Sequence, residues 1–358
     1  MHDPRLDDFV AAHSRAADRF VRLARGAGLP VTVVHHNDAD GLAGAAALAH
    51  ALAYGGLACS LRPVEKVHAP IVERLHAAGG DIVLYADLGG QSSHLIGAHA
   101  ARGPLTIILD HHLPGGAVPD NVLHLNPEEF GISGDTEASG AAVCALFARE
   151  LVGRSGSGVS PEPGLPALMG VLGAIGDGQM EEGALQGLNA KLLEEARLQR
   201  EIAEAAGELV VPRLGNRSAR EVVELLNLLG SVGFYAGHAA TAVDFLLGRD
   251  AGEALRGRGR LHELKAAAFR REAEAVRREG LGVVGRFQWV DVKDRFRPMG
   301  VKAIGLFLEQ LVDQGLSAPD RYLIGFQHLP AEMPGLGRLD LSLTKISARV
   351  PPALREAI

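Results

Sequence analysis

The sequence is short of cysteine, aromatics and lysine. Cys59 and Cys144 are its two cysteines, far apart and without a CxxC spacing, which argues against a disulfide framework or a zinc knuckle and fits a reducing, cytoplasmic setting. Aromatics make up 4% of 358 residues, and only six of the 36 basic residues are Lys, a bias that reads as GC-rich coding rather than function. The formal charge is −7, so no global positive field draws the chain to polyanions and any nucleic-acid surface has to be a local patch. The first residues carry early acids and no short apolar core, unlike a signal peptide. The longest stretch without Asp, Glu, Lys or Arg, from Gly41 to Leu61, contains His50 and four Gly and follows a dense acidic motif. It reads as a buried helix plus the start of a strand, not a membrane span.

What is present is enough hydrophobic residue, 47%, for two domains with a real core. After an amphipathic segment at 4–27, β-branched runs at 30–36, 57–64, 81–87, 105–110 and 121–126 alternate with helical stretches at 42–54, 69–78, 91–102 and 138–151. That alternation predicts an α/β fold with a mainly parallel, doubly wound sheet. The near-continuous apolar strands agree, because a strand covered on both faces need not alternate. A turn-rich loop at 153–166 precedes PALMGVLGAIGDG, which reads as a buried helix or a strand and turn. The pattern is helical from about 188 to 275, and strand-like segments return at 287–292, 321–329 and 339–350 around a helix at 301–315. The division predicted is a catalytic domain over 1–187, a helical connector over 188–280 and a smaller α/β domain over 281–358.

Four acidic or histidine-bearing clusters fall just after predicted strands or at a turn: His36-Asn37-Asp38-Ala39-Asp40-Gly41, Asp87-Leu88-Gly89-Gly90, Asp110-His111-His112 and Gly176-Asp177-Gly178. In an open parallel sheet the carboxyl ends of the strands border the ligand crevice, so clusters distant in sequence can meet there. So many carboxylates cannot all stay ionised together without compensating positive charge. Carboxylates mixed with imidazoles and no thiolate suit manganese or a related ion, and the ligand count suits two ions sharing a bridging carboxylate. A pair of that kind activates water at neutral pH and clamps a phosphoryl group. A calcium loop at 36–41 fails the EF-hand pattern, which needs an acid at its first position and Glu at its twelfth, where His36 and Ala47 stand.

The order HxDxDG, a strand-end Asp, DHH and a late GDG-type Asp resembles the DHH phosphoesterase superfamily, and within it the RecJ-like single-strand nucleases, notably the archaeal branch that includes the GINS-associated nuclease. The likeness covers residues 30–180 by motif. It implies that His36 and Asp38 hold one manganese ion, that Asp40, His111 and Asp177 hold the other, and that Asp87 bridges them, with Mg2+ as an alternative metal. His35 is the alternative to His36, since neighbours on a strand face opposite ways. The resemblance further implies that His112 acts on the scissile phosphate or the leaving oxygen and that Asp110 orients its neighbours. Ser139, at the start of a helix, is expected to hold a phosphate. Lys345 and Arg349, in Lys-Ile-Ser-Ala-Arg, look like the phosphate-contacting strand of the family's accessory domain, called DHHA1. Relatives continue from there into a glycine-rich GGxH-type loop, whereas this chain stops at Ile358, which reads as a truncated accessory domain.

The function implied is hydrolysis of single-stranded DNA or short oligonucleotides from the 5′ end, with replication or repair proteins as partners and no membrane. Short RNA, cyclic dinucleotides or polyphosphate are alternative substrates; no Ser-Arg-Lys-Lys run supports the pyrophosphatase branch. A reading of another class is a silent replication scaffold of the Cdc45 type, which has lost metal ligands where this chain keeps all of them. The Arg-rich segment 256–279 reads as a solvated interdomain helix, or else as one side of a phosphate-binding groove.

Overall fold

The computed structural model describes residues 3–155, 164–339 and 342–350. Part of the 153–166 loop, part of the 339–350 strand and the end of the chain lie outside the described residues. Helix α1 (Pro4–Gly26) leads into β1 (Val31–His35), α2 (Ala39–Tyr54), β2 (Cys59–Pro63), α3 (Ala69–His76), β3 (Ile82–Ala86), α4 (Ser93–Ala100), β4 (Leu105–Leu109) and β5 (Val122–Leu125). All five strands are parallel, in the order β2-β1-β3-β4-β5. Every residue of β1, β3 and β4 is buried, as expected for strands covered on both faces. The order reverses between β1 and β3, and that switch point is where an open α/β sheet leaves a crevice at its carboxyl edge.

Helices α5 (Gly140–Gly153) and α6 (Leu165–Gly176) pack with α2 on one face. These helices are rich in Ala and Gly, so their backbones approach closely over a core that needs few aromatics. The predicted parallel α/β sheet is therefore present, and of the two readings of the last motif the helix is the one that forms, over Leu165–Gly176, with Asp177 at its C-cap.

After α7 (Gly187–Leu198) the expected run of helix is broken by a small antiparallel meander, β6 (Ala203–Ala205), β7 (Glu208–Val211) and β8 (Arg217–Ser218). Arg200 and Ala206 sit at positive φ, 59° and 52°, together with Gly207 and Gly215, and a right-handed helix cannot pass through such residues. Helix returns in α8 (Ala219–Asn227), α9 (His238–Leu246) and the long α10 (Ala251–Glu279). Then come β9 (Gly282–Val284), β10 (Phe287–Asp291), α11 (Lys302–Asp313), β11 (Tyr322–His328), a separate short hairpin of β12 (Glu332–Met333) and β13 (Gly337–Arg338), and β14 (Thr344–Arg349); β9, β10, β11 and β14 build a second, mixed sheet ordered β14-β11-β10-β9. Helix α11 covers one face of it. Its N-terminal approach reaches back to the segment after β2, where the Val301 amide donates to Glu65 (2.7 Å). No helix among the described residues is long and apolar enough to cross a membrane.

Candidate metal centre

Three strands end at the crevice. At the end of β1, His35 turns inward, fully buried, with its Nδ1 on the His36 carbonyl oxygen (2.8 Å), and burial pushes its pKa down to about 4. His36 faces the crevice, with Nδ1 2.9 Å from Asp38 Oδ2 and 3.4 Å from Asp87 Oδ2. Alternation along the strand thus separates the two histidines. Asp38 is the N-cap of α2, accepting from the Gly41 amide (3.1 Å). Gly41 is needed because a Cβ there would run into His36 Cβ.

Asp40 lies in the first turn of α2 and points the other way, into the N-terminus of α5. The Ser139 hydroxyl (2.9 Å) and the Ala141 amide (2.9 Å) donate to its Oδ1, and the Gly140 amide donates to its Oδ2 (2.8 Å). This corrects the phosphate role expected for Ser139: the residue is fully buried, and Asp40 takes the anion position that the helix N-terminus offers.

Asp87 follows β3 with φ +59°, a left-handed conformation that is uncommon outside Gly and Asn and often marks a functional position. Its two oxygens face two neighbours: Oδ2 is 3.4 Å from His36 Nδ1, and Oδ1 is 3.4 Å from His111 Nε2. His111 donates from Nδ1 to the Gly134 carbonyl (2.7 Å), which fixes the ring so that Nε2 aims at the acids. The same nitrogen is 3.9 Å from Asp40 and 3.8 Å from Asp177. Asp177 accepts from the Gln179 side chain (2.8 Å), which also donates to Gly134 O (2.7 Å).

Asp110 ends β4, and its carboxylate accepts the Gly90 amide (2.6 Å), the His111 amide (2.8 Å) and His112 Nδ1 (2.7 Å). His112 is 43% exposed and faces a cleft of about 300 Å³ together with His36, Asp87 and Lys66.

The charges sort by environment. Burial disfavours charge on His36, yet Asp38 and Asp87 raise its pKa to about 10; His111, likewise opposed by burial, is raised to about 11 by Asp87 and Asp40. Burial, with Asp87 adding repulsion, holds Asp40 well above the usual carboxylate range, and burial does the same more mildly at Asp177. Burial also acts on Asp38, but His36 and Lys302 hold it well below that range. His112 is raised chiefly by its hydrogen bond to Asp110.

Ligand atoms come within 4.8 Å of one another in the groups His36, Asp38, Asp87 and Asp40, His111, Asp177, and in a third made of Asp87, Asp110, His111, His112. Asp87 Oδ1 and His111 Nε2 are both buried without a hydrogen-bond partner, an expensive state for polar atoms unless something else binds them. Carboxylate and imidazole donors with two such orphaned atoms between them fit divalent cations.

The structure brings together all six residues expected as ligands, and it separates the other two substrate candidates. Lys345 lines a cavity of about 340 Å³ that shares Glu65, Lys66 and His68 with the metal cleft. Arg349 is a correction: its guanidinium donates to Glu309 (2.8 Å) and to the Gly305 carbonyl of α11 (2.9 Å), and it borders a different cavity. Several participants had no signal in the sequence. Lys302 reaches Asp38 (3.1 Å) from the second sheet's helix. Asn37 and the Val301 amide hold the buried Glu65, whose pKa burial pushes up to about 7. Asn189 positions Ser139 and Gln179.

Fold and site together define a parallel α/β protein with a carboxylate–imidazole centre at the switch point of its sheet. Residues 30–168 match the DHH family, N-terminal domain. An uncharacterized protein of Methanocaldococcus jannaschii is 31% identical over 173 residues, and the match spans 47% of this chain but only 37% of that protein. Among solved structures, the exonuclease RecJ bound to manganese superposes on 88% of this chain and 80% of its own, with a TM-score of 0.59 and 23% identity. Cdc45 from Entamoeba histolytica superposes on 88% and 86%, with a TM-score of 0.52 and 12% identity. Residues 30–168 are thus similar to the DHH family's N-terminal domain, and the fold is similar to that of RecJ.

Proposed function

We propose that the chain is a two-manganese phosphodiesterase that hydrolyses single-stranded DNA or short oligonucleotides from the 5′ end, with Mg2+ as the alternative metal. The observation that carries this reading is Asp87, whose two oxygens face His36 on one side and His111 on the other, between two groups of ligand atoms. His36 and Asp38 would hold one ion, Asp40, His111 and Asp177 the other, and Asp87 both. Bound there, two divalent cations supply Lewis acidity, lowering the pKa of water and offsetting charge that develops on a phosphoryl group.

The chain's own groups do the rest. Asp40 is fixed by three donors from the start of α5, and His111 is fixed by Gly134, so neither has to reorganise during reaction. Asp110 holds His112 by Nδ1 and raises its pKa, which favours the protonated ring and leaves Nε2 on its far side. That Nε2–H is the donor for the leaving oxygen in the cleft. Lys345, in the adjoining cavity, is the candidate contact for a substrate phosphate. In this reading the catalytic domain spans 1–187, the connector 188–280 and the substrate-binding domain 281–358.

The likeness to Cdc45 supports a second reading, a replication scaffold without chemistry, and the six filled ligand positions favour the enzyme over it. The deciding experiment is a manganese time course on 5′-labelled and 3′-labelled single-stranded DNA, the matching RNAs, polyphosphate and a cyclic dinucleotide, beside Asp87→Asn. Mononucleotides released from the 5′ end of DNA by the native chain, and abolished in the variant, support the proposal. Intact substrates with manganese still bound would overturn it in favour of the scaffold.

A further inference from the structure

A second cavity, about 310 Å³, opens between α8, α10 and α11 and is lined by Arg258, His262 and Lys265 of α10, Glu224 and Asn227 of α8, and Leu306 of α11. The three basic residues are spaced i, i+4 and i+7, so they share one face of the helix. They also differ from their neighbours in pairing. Arg256 and Arg260 both rest on Glu253, Arg271 on Glu272 and Arg278 on Glu279. Arg258 and Lys265 form no ion pair among the described residues, and both are only half-buried. One acid, Glu224, faces the three bases, so the pocket keeps positive charge in a chain whose net charge is negative.

The pocket is tied to the metal centre from two sides. Asn227, on its wall, accepts the Ala39 amide between Asp38 and Asp40 (3.0 Å). Leu306 stands one helical turn beyond Lys302, which reaches Asp38, an axial rise of about 6 Å. Asn227 is followed by a π-helical turn, Leu228–Val232, a distortion often found at functional sites. Its Ser231 carbonyl receives the Gly300 amide of the second domain (2.8 Å). Both walls are therefore braced against the same crevice.

We infer that this pocket holds a backbone phosphate of the strand as it passes away from the metal centre, with Arg258 and Lys265 as the contacting cations and His262 between them. The inference rests on the nuclease reading and extends it, because it gives the substrate a length: a strand must run past the scissile bond to fill the site.

The test is fluorescence anisotropy of a labelled dT12 with the full chain, across a salt series, with hydrolysis suppressed by EDTA. Arg258→Ala/Lys265→Ala should weaken binding about tenfold at low salt and make the slope of log K against log salt shallower by about 1.4, the value for two lost contacts to a single strand. Arg258→Gln alone, which keeps the helix and most of the side chain, should give about half that change in slope. Arg256→Ala/Arg260→Ala removes the same charge from the paired face and should leave both readouts near the native values. Equal loss in the two double variants, or native binding in the first, overturns the phosphate site while leaving the nuclease reading standing. A native chain that binds no single strand overturns both.

Discussion

Gly140 is the position where one methyl group tests the whole centre. It opens α5, and its amide donates to Asp40 while its Cα faces Asp87. A Cβ there would collide with Asp87 Oδ1 and lie 2.6 Å from Asp87 Cβ and 2.7 Å from Cγ. Asp87 cannot turn away by a rotamer change, because its own Cβ is among the atoms struck and its backbone is held at φ +59°. Gly140→Ala therefore has to push apart the strand end and the helix start. Overpacking of this kind costs about 1–3 kcal/mol, partly offset by up to ~1 kcal/mol from the better helix residue, so the melting temperature should fall by a few degrees. The functional loss should be far larger than that of stability. Shifting one ligand should cost about 10–100-fold in manganese affinity, and a misplacement near 1 Å about 100-fold in turnover. Calorimetric titration with manganese, a melting curve and the oligonucleotide assay give the three numbers. Gly153→Ala is the control, since nothing lies within 4 Å of a Cβ at the far end of the same helix. Manganese affinity within twofold of native in a folded Gly140→Ala protein would refute the placement of Asp87 against α5.

Three further outcomes follow from the same geometry. His112→Ala should lower turnover by about 10²–10⁴ with manganese binding retained, since its Nδ1 serves Asp110; a parallel fall in metal affinity would make it a ligand. His36 and His111 are held protonated up to about pH 10 and 11 in the metal-free protein, so cations must displace those protons. Affinity should therefore rise with pH, by up to about tenfold per unit for each proton displaced, and titrations in buffers of different ionisation enthalpy should show protons released; a pH-independent affinity would sink this. Ser139→Ala should destabilise the fold by about 1–2 kcal/mol, through loss of a helix cap and of a donor to Asp40, as read in denaturant unfolding. A phosphate role for Ser139 would instead show as weakened oligonucleotide binding at unchanged stability.

The parts legible in the sequence were those set by local patterns. Five β-branched runs buried on both faces announce a parallel sheet, and the acids placed at their ends announce its crevice. Pattern fails where a distant residue decides. Glu201 to Ala206 is rich in Ala and Glu and suits a helix by propensity, but positive φ at Arg200, Ala206 and Gly207 breaks it there, and the chain folds into strands whose Val211 is buried. GAIGDG suits a strand end as well as a helix end, and packing of α6 against α2 and α5 selects the helix. Ser139 and the amides after it look like an anion site from their own spacing. They are one, but the anion comes from Asp40, nearly a hundred residues earlier. Lys345 and Arg349 lie on one side of the same strand, and what parts them is Glu309 on another element, which no local pattern marks.

The same centre also explains why so many carboxylates can share one crevice. Asp110 is answered by the amides of Gly90 and His111 and by His112. Asp40 is answered by the start of α5, and Asp38 by His36, the Gly41 amide and Lys302. Each is charge-balanced or hydrogen-bonded by groups the chain itself brings, as buried carboxylates must be. Among the described residues, Asp87 Oδ1 and the facing His111 Nε2 are the two candidate ligand atoms left buried without a hydrogen-bond partner, and Asp177 beside them has an amide side chain and no lysine or arginine partner. The unmet charge is thus concentrated between Asp40, Asp87, His111 and Asp177, and a cation bound there meets a site already rigid on every other side.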